Sequence, residues 1–112
     1  MTIAHILKLA ILTAALAAGS IAARADNTGF DSIHSQVRIN GKTCFADHAH
    51  SGSGAGPNRK AAEAQAIKSW YDYTAGEYGS DWAHIGKAVK KSMTCSQNSS
   101  NWTCDVDATP CR

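Results

Sequence analysis

The feature that limits this chain most is a set of four cysteines, Cys44, Cys95, Cys104 and Cys111. An even cysteine count in a small exported domain reads as two disulfides, and a short chain that buries a modest core is commonly helped by such staples. Three pairings are possible, and the count alone does not choose among them. Oxidation requires an oxidising compartment, and the N-terminus speaks to that. Residues 1–8 form a short n-region with Lys8, residues 9–18 form an apolar run, and Ala23-Arg24-Ala25 supplies a small-x-small cleavage pattern. At roughly ten residues the run is about half of what a membrane-spanning helix needs. The expectation is a removed signal over 1–25, a flexible arm over 26–32 and a single domain over 33–112. That domain is expected in the periplasm or outside the cell, with no membrane anchor in its mature form.

Charge narrows the partners. The chain holds eleven Lys and Arg against nine Asp and Glu. Lys8 and Arg24 leave with the leader, so the mature domain is expected to be close to neutral. A neutral domain lacks the basic surface on which nucleic-acid affinity rests. It also lacks the polybasic patch that docks on anionic lipid. The expected partner is an envelope or extracellular protein, or a small ligand.

Along the chain, 33–40 alternates apolar and polar side chains as a half-buried strand does. Asn40-Gly41 follows, the dipeptide that best suits a two-residue type I′ turn, and 42–48 returns. Such a turn sets Ile39 opposite Lys42, Val37 opposite Cys44, Gln36 opposite Phe45, His34 opposite Asp47 and Ile33 opposite His48. Ile33, Val37, Ile39 and Cys44 then share a face, expected to be the buried one. The glycine-serine stretch 50–57 reads as a loop. Asn58 can cap a helix from Arg59 to about Tyr78, with Ile67, Trp70, Tyr71, Thr74 and Tyr78 on its apolar side. Gly79 ends it, and Ser80 opens a second helix over 81–91 with the stripe Trp82, Ile85, Val89 and Met93. A hairpin of 92–96 and 102–107 closes the chain. It would set Cys95 against Cys104 and leave Cys44 for Cys111. The fold class expected is α+β: a small single domain of hairpin, two helices and hairpin, stabilised by disulfides.

The series Ala61, Ala66-Ile67, Trp70, Tyr78-Gly79, Trp82, Cys95, Trp102-Thr103-Cys104 and Ala108-Thr109-Pro110-Cys111 resembles a group of small exported proteins of alphaproteobacteria. The likeness covers about the last fifty residues and leaves out the Asn40-Gly41 hairpin and most of the histidines. It implies a periplasmic or secreted location and carries over no functional residues.

Chemistry-bearing residues gather around Asp47-His48-Ala49-His50, with His34 expected across the hairpin. His48 and His50 point the same way on an extended strand, which suits one divalent ion. Neutral imidazoles with a carboxylate suit zinc, copper or nickel. A second candidate is an anion or small-ligand loop of Gly54, Gly56, Asn58 and Arg59 at the helix N-terminus. No nucleophile elbow is present, and no catalytic residue is assigned. The function expected first is a non-enzymatic accessory or binding protein. The alternatives are transition-metal binding at His48 and His50 with Asp47 and His34, or a small hydrolase using His34, His48, His50 and His84 as acid and base.

Overall fold

Turn chemistry sets the first hairpin. Asn40 and Gly41 both adopt positive φ, 50° and 78°, as a type I′ turn requires. They join β1 (Gln36–Ile39) to β2 (Lys42–Phe45) in the computed structural model, which describes residues 25–112. The expected signal sequence lies outside the described residues apart from Ala25. The register is the one the turn dictates, from Ile39 opposite Lys42 to Gln36 opposite Phe45. Ile33 departs from it, because Phe30–Ile33 form a 3-10 turn before the ladder begins. The expected buried face is also overturned: Val37 is 42% exposed and Ile33 76%. The hairpin does not lie flat on the core. Instead Cys44 and Phe45, on opposite faces, are both buried, one in a cystine and the other against Tyr78 and Trp82.

The stretch expected as a glycine-serine loop is a strand, β3 (His50–Gly56). It pairs antiparallel with β5 (Asn101–Thr109), which pairs in turn with β4 (Val89–Asn98), giving the order β3-β5-β4. Along β3 the inward positions are His50, Gly52, Gly54 and Gly56, while Ser51 and Ser53 hydrogen-bond Asp107 and Asp105 on the outer face. Helix α1 (Arg59–Tyr78) lies directly on the glycine row. A Cβ at Gly52 would collide with Ala66 O and the Trp70 backbone, and one at Gly54 with Gln65 and Ala66. The helix answers with small residues of its own. Its buried line is Ala62, Ala66, Trp70, Thr74 and Tyr78, with Ala75 beside it, rather than one through Ile67 and Tyr71. Tyr71 is 37% exposed. Asn58 caps the helix as expected, its Oδ1 accepting from the Ala61 N–H at 2.8 Å.

Past Gly79 the chain departs from the expected second helix. Only Ser80–Trp82 form a 3-10 turn, and β4 takes over from Val89. A bulge between Val89 and Ser92, with Lys90 at φ 53°, pairs Val89 with Thr109 but Met93 with Val106. Those partners lie on opposite faces of β5, so the apparent stripe does not share one surface. The arm expected to be flexible is tied down. Thr28 N–H donates to Tyr78 O at 3.0 Å, Asp81 N–H donates to Asp26 O at 3.1 Å, and Asp31 is buried. Gly79, at φ 108°, permits this because any Cβ there would strike the Asp26 carbonyl.

Both expected disulfides form, Cys44–Cys111 and Cys95–Cys104. Thr43 and Arg112 exchange both of their backbone hydrogen bonds, so Cys44 and Cys111 are the adjacent non-hydrogen-bonded pair, where side chains approach most closely. The cystine spans 67 residues against 9 for the other. Loop-closure entropy then makes it the larger contributor, about 4 kcal/mol against about 3. Among the described residues, one helix and five strands in two antiparallel sheets thus make an α+β domain, and no helix there is long and apolar enough to cross a membrane. The cystines fit an oxidising, non-cytoplasmic environment.

The glycine row makes a paired prediction. Gly52→Ala and Gly54→Ala should each destabilise by about 1–3 kcal/mol or more, since backbone must move to admit the methyl group. Gly76→Ala, on the exposed side of α1 with open space around it, should stabilise by up to about 1 kcal/mol. Urea midpoints of the three variants read both effects.

Candidate functional site

The site forms where β3 starts and α1 ends. His50, the first inward residue of β3, is 1% exposed, and the last turns of α1 bring Tyr73, Thr74, Glu77 and Tyr78 to it. Residues three and four apart share a helix face, so these four side chains converge. The His50 ring lies parallel to that of Tyr78, with centroids 5.1 Å apart, and within 4.5 Å of Tyr73. Its Nδ1 is 2.9 Å from Thr74 Oγ1. In the tautomer whose Nδ1–H donates to that hydroxyl, Nε2 keeps its lone pair, as a metal ligand needs.

Opposite that lone pair stand two more donors. His48 Nε2 is 3.0 Å from His50 Nε2, and Glu77 Oε2 is 3.4 Å from it. All three atoms lie within 4.8 Å of one another. A tetrahedral ion with bonds of about 2.0–2.1 Å holds its donors about 3.3 Å apart, close to both shorter spacings. Burial drives the His50 pKa down from 6.5 to about 4, outweighing the attraction of the Glu77 carboxylate, so the ring is neutral near pH 7. Burial first, then a hydrogen bond to Glu77, pushes the Tyr78 phenol above its ordinary 10. Glu77 charge and hydrogen bonding do the same to Tyr73. Two phenols thus hold the carboxylate, and Tyr78 Oη also meets His34 Nε2 at 3.2 Å. Glu77 sits one residue from the end of α1, where the helix dipole favours a cation.

The expected metal set is therefore revised. His48 and His50 come together, as the strand spacing suggested. Asp47 is exposed and outside the donor group, and His34 supports the site through Tyr78 rather than joining it. Glu77 was missed, although its i, i+3 relation to Thr74 on a helix ending in two tyrosine-bearing turns was visible. The expected anion loop also changes character. Gly54 and Gly56 face the helix, Asn58 is engaged as the cap, and Arg59 Nε pairs with Glu63 Oε1 at 2.9 Å. His84, a candidate for hydrolytic chemistry, is exposed on the turn after Trp82, away from the donor group.

No family model matches the chain, and comparisons with curated proteins and with solved structures give no significant match.

Burial of His50 predicts a pH dependence of stability. Between about pH 6.5 and 4 the unfolded chain binds a proton at this ring that the folded protein does not. Its contribution is therefore full above pH 6.5 and is lost as pH falls toward 4. In His50→Gln, the drop in urea midpoint between about pH 7.5 and 4.5 should be smaller than in the parent protein.

Proposed function

We propose that this chain is an exported binding protein whose ligand is a divalent transition-metal ion held by His48, His50 and Glu77. The observation that carries the reading is the meeting of three donors around His50, whose Nε2 stands 3.0 Å from His48 Nε2 and 3.4 Å from Glu77 Oε2, with that central ring buried, neutral near pH 7 and paired at Nδ1 with Thr74. Two imidazoles and a carboxylate select zinc, copper or nickel over calcium or magnesium, which prefer all-oxygen sets. The apolar leader, the cleavage pattern at Ala23-Arg24-Ala25 and the two cystines support export. The resemblance to exported alphaproteobacterial proteins agrees with that location. A near-neutral mature charge weighs against a nucleic-acid partner.

Calorimetry with Zn2+, Cu2+ and Ni2+ on protein purified without chelators tests the reading. One ion per chain is expected, with His48→Ala and Glu77→Gln each abolishing measurable binding while circular dichroism stays unchanged. Thr74→Val, which keeps the shape but removes the hydroxyl, should weaken binding by about 10–100-fold, the usual effect of losing an orienting partner. Unaltered affinity in His48→Ala would remove the proposal.

A further inference from the structure

Resting on the metal reading above, we propose that the ion held by His48, His50 and Glu77 reserves one coordination position for an exchangeable monoanion, a carboxylate by class, admitted through the cavity beside Tyr73. Among the described His, Cys, Asp and Glu side chains, the donor group supplies three ligand atoms, whereas these ions in a tetrahedral site take four. The nearest further candidates are committed or outside the group. His34 Nε2 meets Tyr78 Oη at 3.2 Å, Thr74 Oγ1 is used by His50 Nδ1, and Asp47 does not belong to the group. Closed structural sites use four protein ligands, whereas three protein ligands leave the last position to water or an incoming molecule.

The surroundings indicate where that molecule enters and what charge it carries. A cavity of about 390 Å³ is lined by His48, Ala49, His50, Ser51 and Tyr73, so both histidine ligands form part of its wall. A water occupies about 30 Å³ in the liquid, so the cavity admits a small organic anion as well as solvent. Tyr73 is shared with a neighbouring polar groove that also contains Ser53, Gln65, Ser69 and the ion pair of Lys68 with Asp72 at 2.8 Å. The groove runs along the outer edge of β3 and gives an incoming carboxylate room for a polar body behind it. Charge balance supplies the sign. Neutral imidazoles and a single carboxylate leave a bound dication with one net positive charge, which a monoanion cancels inside a partly buried site.

The test uses the purified protein loaded with Co2+, whose visible absorption reports coordination, titrated with acetate and with azide. A saturable, one-to-one spectral change with both, the cobalt remaining on the protein through gel filtration, is expected. Bound cobalt whose spectrum ignores both anions would overturn this inference and leave the metal site standing. Failure to take up Co2+, Zn2+ or Cu2+ at all would remove both. Displacement of cobalt by the anions would also overturn the inference. Ala49→Trp adds bulk to the cavity wall while keeping all three donor side chains, and should weaken acetate and azide by roughly tenfold or more while cobalt affinity holds. Unchanged anion affinity in that variant would overturn the assignment to this cavity.

Discussion

Helix α1 rests on β3 without an intervening layer of side chains, and the rest of the molecule is arranged around that contact. Three glycines on the strand and two alanines on the helix let backbone meet backbone. Interiors tolerate neither gaps nor overlap, so close approach at one end fixes the position of everything at the other. At that other end the inward residue of β3 is His50 rather than a glycine. Its ring fills the space between the strand and the last turns of the helix, stacked on Tyr78 and beside Tyr73. The donor atoms are thus aligned by the packing of residues that have no chemistry of their own.

The hairpin of β1 and β2 adds the other wall. It touches the larger sheet through little apolar surface, as the exposure of Val37 shows. What holds it is the Cys44–Cys111 link, the backbone exchange between Thr43 and Arg112, and the aromatic cluster of Phe45, Tyr78 and Trp82. The Arg112 guanidinium lies 5.0 Å from the centre of the Trp82 ring and covers that cluster. His48 follows β2 by only a few residues, so the cystine governs where this imidazole stands relative to His50.

Much of this was legible from residues alone, in the places where local chemistry decides. Asn40-Gly41 needs positive φ at both positions, and that need fixed both turn and register. The Asn58 cap and Gly79 bounded α1 closely. The cystine pairing followed from the tail hairpin. The losses share a cause, which is that periodicity reasoning follows apolar side chains. In His50–Gly56 the inward residues after the histidine have no side chain, so a strand looked like a loop. Between Trp82 and Met93 the spacing imitated a helix, yet the bulge at Lys90 assigns Val89 and Met93 to different faces. The site was half legible for the same reason. His48 and His50 are neighbours in the chain, while Glu77 joins them only once the helix has been laid on a strand that the pattern did not reveal.

The three donors come from the turn after β2, the first residue of β3 and the final turn of α1. β3 finds its sheet partner β5 some fifty residues further along the chain. Nothing resembling the pocket exists until that distant pairing is made. An ion that binds only the finished arrangement pulls the folding equilibrium toward it by mass action. An ion held there would add its binding free energy to a fold that the cystines and the helix–strand contact already complete. A chain without its ion would then open more often at this corner, and a protease would find that corner before it found the glycine-lined contact.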